Sequence, residues 1–251
     1  MKISRLNSIE EYVLSKKTVS IDELCDVFQV SKNTIRRDLN ELEDRGHIAK
    51  VYGGVTAVTP EEVMPLPVRS SLNPSAKNRI GQLAAREIRD GDTIFIDSGS
   101  TAVNVLRHLP LRIKATVVTH SLPAMMEAAK FDNISLISLG GIYNSSTSSF
   151  VGIAAQQALS DLRITKAFLS ATGVTVESGM SNTTFLEAEI KRGVVAHTSH
   201  VILIADNSKL GHDATVTFCR LRDISTFITD QQPAPKFTEF CRAHSIRLVW
   251  E

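Results

Sequence analysis

Val30-Ser31-Lys32-Asn33-Thr34-Ile35-Arg36-Arg37-Asp38-Leu39-Asn40-Glu41-Leu42-Glu43-Asp44-Arg45-Gly46 spells out a helix with both of its ends. Ser31 offers a capping oxygen to the first free backbone N–H groups. Ile35, Leu39 and Leu42 recur at i, i+4 and i+7, and Gly46 closes the run. The charges are segregated: Lys32, Arg36 and Arg37 fill the first half, while Asp38, Glu41, Glu43 and Asp44 fill the second. With Ile35, Leu39 and Leu42 turned to a core, Lys32, Asn33, Arg36, Arg37 and Asn40 are left mostly on the outer side, beside the positive end of the helix.

The flanking sequence places this helix in a motif. Leu6, Ile9 and Val13, widened by Tyr12 and Leu14, predict a first helix from Arg5 to about Lys17. Ser20-Ile21-Asp22-Glu23 is a capping box that opens a second, about two turns long, with Ile21, Leu24, Cys25 and Phe28 on its buried face. Downstream, His47 to Val51 reads as a strand, Gly53-Gly54 as a hairpin turn, and Val55 to Val58 as the return strand. Residues 1–58 therefore read as an α+β winged helix-turn-helix, whose third helix presents its basic start to the major groove of DNA.

The chemistry at that end is suitable. Arginine forms bidentate bonds to guanine and asparagine to adenine, while hydroxyls donate to phosphate. The expected DNA-contacting residues are Ser31, Lys32, Asn33, Thr34, Arg36 and Arg37, with Lys50 and Tyr52 reaching neighbouring backbone from the hairpin. The competing view is a solvated face on which Arg36 and Arg37 pair with Asn40 and Glu41, each pair worth only ~0.2–0.5 kcal/mol. The full order of capping box, tight turn, basic helix start and glycine hairpin is the more restrictive observation. The implied partner is double-stranded operator DNA, read by a homodimer or a higher homo-oligomer, because paired recognition helices need a two-fold axis.

Composition bounds the rest. The chain has 251 residues, 43% hydrophobic and 22% charged, with 28 basic against 27 acidic side chains, so any nucleic-acid binding must come from local charge placement. Cys25, Cys219 and Cys241 are far apart and fit neither zinc nor a disulfide framework, which suits a reducing compartment. No apolar run approaches the ~20 residues of a membrane span and the N-terminus lacks a signal core, so the expectation is a cytoplasmic protein with no membrane partner. His197 and His200 lack companion ligands, and neither a metal nor a cofactor is expected.

Pro60, Pro65, Pro67 and Pro74 mark residues 59–74 as a semi-stiff linker. From residue 75 to 251 short Val/Ile-rich runs alternate with helical stripes such as Ile80, Leu83, Ala84 and Ile88. The runs are Thr93 to Ile96, Ala115 to Thr119, Ile134 to Leu139, Lys166 to Ser170, Val201 to Ala205, Thr226 to Thr229 and Arg247 to Val249. That alternation predicts an α/β domain with a mostly parallel sheet. Its sharpest feature is Ile94-Phe95-Ile96-Asp97-Ser98-Gly99-Ser100-Thr101, a buried strand ending in a polar loop before an apolar helix beginning near Ala102. Backbone N–H groups, the freedom of Gly99 and the hydroxyls of Ser98, Ser100 and Thr101 suit an anion such as phosphate. Gly140-Gly141, Ala171-Thr172-Gly173 and Asp206-Asn207-Ser208-Lys209 leave neighbouring strand ends, where parallel-sheet proteins gather ligand contacts. The expected effector-binding residues are Asp97, Ser98, Gly99, Ser100, Thr101, Gly140, Gly141 and Lys209. Glu187 and Asn182 are weaker candidates, since Glu187 and Lys191 also form an ordinary i, i+4 pair. Met125 and Met126 read as core filling.

Thr18 to Leu24, Val30 to Leu39 and Leu42-Glu43-Asp44-Arg45-Gly46 closely resemble the DeoR family of bacterial transcriptional regulators, and the sensor segments resemble that family as well. Where the family carries Arg-x-His-Gly-Gly-Ala, this chain has Lys50-Val51-Tyr52-Gly53-Gly54-Val55, and where the family often carries Thr-Asn-Ser it has Thr119-His120-Ser121, so the resemblance leaves His120 as either a modifier of ligand choice or a loop histidine. The resemblance implies a ribose-phosphate-isomerase-like sensor fold. It also implies that the serine-threonine loop and Lys209 hold a phosphorylated sugar or related metabolite. The head is most similar to repressors of inositol catabolism, and Ala167 to Lys191 also resembles deoxyribonucleoside-type repressors. The implied function is a repressor of a carbohydrate-catabolism operon, of inositol or deoxyribose, released from its operator by a phosphorylated intermediate. The alternative is a sugar-phosphate isomerase-like enzyme with an appended DNA module. Against it, Phe168 to Val174 offers no carboxylate for general-base work, so no enzymatic activity is expected.

Overall fold

The computed structural model describes residues 2–16, 18–44, 48–51, 53–57 and 64–251, in two compact units, Met1–Leu72 and Asn73–Glu251. Expectations for Arg45, Gly46, His47, Tyr52 and Val58 to Val63 lie outside the described residues.

In the first unit α1 (Lys2–Lys16), α2 (Ile21–Phe28) and α3 (Lys32–Asp44) surround one apolar centre formed by Leu6, Ile9, Val13, Leu24, Ile35, Leu39 and Leu42, as the spacing predicts. The Ser20 hydroxyl accepts the Glu23 N–H at 3.1 Å, and α2 ends on Gln29 in the left-handed region at φ 50°, which makes the turn tight. Two strands, β2 (Ile48–Val51) and β3 (Gly54–Ala57), form the wing. A third, β1 (Thr18–Ser20), adds to β3 with Val19 opposite Val55 and escapes periodicity because only one of its three residues points inward. Gly54 is needed there: a Cβ would stand 2.3 Å from the Val19 carbonyl oxygen.

Asp38 is the first of the acidic residues in the second half of α3. It is buried, and Arg5 of α1 clamps it by Nε to Oδ2 at 2.7 Å and a second hydrogen bond at 3.2 Å, fixing the angle of α3 against α1. Arg5→Ala leaves that carboxylate buried without its cation and is expected to lower the melting midpoint of the head by a few degrees in a thermal scan. An unchanged midpoint would deny the clamp any role.

The stretch expected to be a linker is partly helical. Helix α4 (Leu66–Ser71) buries Leu66 and carries Pro67 in its first turn, where the missing N–H costs nothing. The boundary between units falls between Leu72 and Asn73, and Pro74 begins α5 (Pro74–Ala85) rather than ending a connector.

The second unit continues with β4 (Thr93–Ile96), α6 (Val103–Arg107), β5 (Ala115–Thr119), α7 (Leu122–Ala128), β6 (Ile134–Ser138), β7 (Ile142–Asn144), β8 (Ser149–Val151) and α8 (Ile153–Ser160). Then come β9 (Ile164–Leu169), β10 (Gly173–Thr175), β11 (Gly179–Asn182), α9 (Phe185–Ala196), β12 (Thr198–Ile204), β13 (Val216–Cys219), β14 (Thr226–Ile228), α10 (Pro235–Ala243) and β15 (Arg247–Val249). Seven strands form one parallel sheet in the order β15-β14-β12-β9-β4-β5-β6. Successive residues serve opposite faces. Ile94 and Ile96 pack with Ile80, Val105 and Leu106, whereas Phe95 packs with Leu159, Ala188 and Leu203. Burial on both faces explains why strands such as β4 and β5 read as apolar runs, whereas the edge strands β6 and β15 are only partly buried.

The chain winds outward from β4 through β5 to β6, then returns to β9 on the other side of β4 and winds out to β15. The strand order reverses between β4 and β9, and in open α/β sheets ligands gather at the C-terminal strand ends of such a reversal. Two small antiparallel groups, β10-β11-β13 and β7-β8, were not legible in sequence because each strand has only three or four residues. Met126 is 66% exposed and is not core filling. The three cysteines are unpaired, and burial pushes the Cys219 thiol up to about 12, leaving it unreactive. Among the described residues no helix is long and apolar enough to cross a membrane, and no cluster suits a metal ion.

Candidate functional site

On the head, Ser31, Lys32, Asn33, Arg36, Arg37 and Asn40 are exposed along one side of α3, with Thr34 half-buried. Ser31 caps the helix by accepting the Thr34 N–H at 3.3 Å, and the two hydroxyls lie 3.0 Å apart. The cations are not equivalent. Lys32 pairs with Asp22 of α2 at 2.5 Å, and the Lys50 ammonium is held by Glu43, whose other oxygen accepts the Lys50 N–H at 3.2 Å. Among the described residues neither Arg36 nor Arg37 makes an ion pair or a side-chain hydrogen bond, so the intrahelical pairing with Asn40 and Glu41 does not form. Two uncommitted guanidiniums thus stand on an exposed face, while the lysines already have partners.

In the second unit, the loop after β4 is almost entirely enclosed. Asp97, Ser98, Gly99, Ser100 and Thr101 are all buried. The Ala102 N–H turns back to the Gly99 carbonyl at 3.0 Å, and Asn104 braces the loop by donating to the Ser100 carbonyl at 3.0 Å. Among the described residues the backbone N–H groups of Ser98, Gly99, Ser100 and Thr101 find no protein acceptor. The expected helix near Ala102 is a tight turn followed by five helical residues, so its dipole is weak and the four N–H groups themselves are the anion-attracting feature. Gly99 touches the neighbouring loop: a Cβ would lie 1.8 Å from Ser170 Oγ, so no other residue fits unless the loops part.

Behind the loop lies a buried polar cluster that spacing alone did not reveal. Lys191 of α9 pairs with Asp97 at 3.0 Å and donates to the Ser170 carbonyl at 2.7 Å and to Asn182 Oδ1 at 2.9 Å; its ammonium also lies 4.9 Å from the Phe218 ring centre. Asp97 Oδ2 accepts the Ser170 N–H at 3.0 Å and the Ser170 hydroxyl. Glu187 accepts from Ser98 Oγ at 3.1 Å, from Asn182 at 3.3 Å and from Thr184 Oγ1 at 3.1 Å. Glu187 and Lys191 are therefore not the surface i, i+4 pair expected of them; each is almost wholly buried with partners of its own. Burial alone drives the Asp97 pKa upward, but the Lys191 charge, the nearby His120 and hydrogen bonds from Ser170 and Lys191 overcome it and hold the carboxyl below its ordinary range. Two unpartnered carboxylate oxygens, Asp97 Oδ1 and Asp206 Oδ2, complete the inventory, together with both ring nitrogens of His120.

The remaining expected residues divide. Lys209 is half-buried in a 3₁₀ turn, Asn207–Lys209, which Asp206 caps by accepting the Ser208 N–H at 3.1 Å; its ammonium makes no ion pair among the described residues. Asn73, the first residue of this unit, donates to Asp206 Oδ1 and to Ser208 Oγ, each at 3.4 Å. Gly140 and Gly141 are exposed at the end of β6, two strands from β4, and Gly141 at φ 136° turns the chain into β7, which is a structural duty. His197 and His200 each bond a backbone carbonyl. Open clefts of about 290 Å³ beside Asp92 and Lys114, and of about 560 Å³ beside Arg163 and His197, lie at the N-terminal ends of the strands and hold none of the expected effector-binding residues.

Residues 5–61 match the DeoR-like helix-turn-helix domain, and residues 72–231 match the DeoR C terminal sensor domain. The chain is 41% identical over 98% of both chains to the HTH-type transcriptional regulator IolR of Bacillus subtilis. It is 30% identical to the transcriptional repressor AccR of Agrobacterium fabrum, over 90% of this chain and 88% of that one. It is 29% identical over 97% of both chains to the glycerol-3-phosphate regulon repressor of Escherichia coli. Among solved structures, ribose 5-phosphate isomerase A of Methanocaldococcus jannaschii overlaps 55% of each chain at 20% identity and a TM-score of 0.41. Matches to both domain models of the family, and relatives named as regulators along nearly the whole length, lead to one assignment: the chain belongs to the DeoR family of transcriptional regulators.

Proposed function

We propose that this regulator represses a carbohydrate-catabolism operon and leaves its operator when a phosphorylated sugar intermediate occupies the crevice after β4. The observation that carries the reading is the buried loop of Ser98 to Thr101. Its four backbone N–H groups lack protein acceptors and stand beside the hydroxyls of Ser100 and Thr101. Such a nest favours an anion, and the unpaired ammonium of Lys209 adds a point charge from the β12 side. The buried Asp97–Lys191 pair then positions the loop rather than touching the phosphate, since a second anion against Asp97 would be repelled. On the head, Arg36, Arg37 and Asn33 read bases, Ser31, Thr34 and Lys32 meet phosphate, and a two-fold dimer sets the half-site spacing.

The route from effector to head is supported by Asn73. It starts the sensor unit, in the left-handed region at φ 47°, and bonds the very loop that carries Lys209. A ligand shifts an equilibrium only by its differential affinity for two states, typically 1–3 kcal/mol, so a saturating sugar phosphate is expected to weaken operator binding by ~5–150-fold. Fluorescence anisotropy on the chain's own upstream DNA, titrated with a panel of phosphorylated sugars, measures this directly. Tight binding of a sugar phosphate without any change in operator affinity would defeat the sensor role.

A further inference from the structure

His120 follows β5 directly and is fully buried, with its ring stacked on Phe95 at 5.6 Å between centres and 14° between planes. Its backbone is committed, because the carbonyl accepts the Phe150 N–H at 2.8 Å. Its side chain is not. Among the described residues neither Nδ1 nor Nε2 has a hydrogen-bond partner. Burial lowers the imidazole pKa, as does Lys191, against the opposing pull of Asp97 and Glu187, so near neutral pH the ring is uncharged and carries one donor and one acceptor. An unsatisfied buried imidazole is unfavourable, and an apolar ring would stack on Phe95 without that cost. Packing therefore does not account for a histidine here.

Its position says what it can meet. β5 flanks β4 on one side, while β9 and then β12, which leads to Lys209, lie on the other. At ~4.8 Å per strand the ends of β5 and β12 are about 14 Å apart, so His120 and Lys209 address opposite ends of anything that spans the loop. The Asp97 charge acts on the ring, and Asp97 Oδ1, a pure acceptor, is likewise without a hydrogen-bond partner among the described residues. Two acceptors and one donor match a hydroxylated or carbonyl-bearing carbon, not a phosphate.

We infer that His120 is a specificity-determining residue that hydrogen-bonds the hydroxyl or carbonyl oxygens of the effector's carbon chain, at the end away from its phosphate. This rests on the sugar-phosphate reading above. The test uses the full-length chain and measures operator release by inorganic phosphate, ribose 5-phosphate, 2-deoxyribose 5-phosphate, fructose 6-phosphate and glucose 6-phosphate. His120→Phe keeps the stack and removes both ring nitrogens. It is expected to bind the operator as the wild type does. The concentration of the preferred sugar phosphate needed for half-release should rise about 10-fold, as the loss of a hydrogen bond implies, while the others shift less than about 2-fold. His120→Asn, with shorter reach and retained polarity, is expected to reorder the panel and serves as the readout should the phenylalanine variant fold poorly. Wild-type selectivity in a folded variant overturns the inference and leaves the sugar-phosphate reading intact. A wild-type chain that no member of the panel releases from DNA overturns both.

Discussion

Arg36→Ala and Arg37→Ala are each expected to reduce the preference for operator over scrambled duplex by roughly 5- to 150-fold, because a bidentate arginine–guanine contact contributes about 1–3 kcal/mol of discrimination. The ratio of affinities is the quantity to measure. Removing any cation also weakens non-specific binding, so a drop in affinity alone proves only lost charge. The structural ground for singling out these two is that their guanidiniums are exposed and unpaired among the described residues, whereas Lys32 is held by Asp22 and Lys50 by Glu43. Discrimination unaltered in both variants would remove them from base readout and leave α3 as a phosphate clamp.

Lys191→Met is expected to destabilise the sensor unit by about 3–5 kcal/mol, a fall in melting midpoint of roughly 6–20 °C, because it strands Asp97 as a buried, uncompensated carboxylate. The pair is 3.0 Å apart and neither side chain is more than 2% exposed, so solvent offers no rescue. The sign of the pH dependence makes the test specific. In the wild type the folded Asp97 pKa lies below its unfolded value, so its stabilisation is fully present above the unfolded pKa and is lost as pH falls through the folded one. Without Lys191, burial is opposed only by the Ser170 hydrogen bonds and His120, and is expected to raise the folded pKa above the unfolded value. The penalty then eases on acidification instead of growing. Asp97→Asn combined with Lys191→Met should melt above Lys191→Met alone, since no buried charge remains. A double variant as unstable as the single one would show that the lysine acts through its other hydrogen bonds, to Ser170 and Asn182.

Both predictions turn on side chains whose types were visible in sequence and whose partners were not. Arg36 and Arg37 were legible as a pair on the outer face because Ile35, Leu39 and Leu42 set the phase of the helix. That the neighbouring lysines are neutralised was not legible, since Asp22 lies ten residues before Lys32 and Glu43 seven before Lys50, each on a different element from its partner. Asp38 shows the same limit. Local charge order marked it only as one of four acids in the second half of the helix, whereas an arginine 33 residues away makes it a buried clamp. In the sensor unit the loop Asp97 to Thr101 was found from its composition, but Glu187, Lys191 and Ser170, which hold it, come from segments 73 or more residues downstream. Their one local signal, the i, i+4 spacing of Glu187 and Lys191, pointed the wrong way.

The sequence by itself determined the elements and their order: capped helices, the glycine hairpin, and seven apolar runs that become the parallel sheet. These depend on periodicity, capping and turn chemistry, which act over a few residues and can be read along the chain. Only the tertiary structure decided which charges are free, which are buried in pairs, and that Glu187, Asp97 and Lys191 gather beside one loop. Whether a polar group is solvated, paired or left wanting a partner depends on chain segments that the fold brings together from far apart, and a parallel sheet with a reversal at β4 and β9 brings together strand ends that no spacing rule connects.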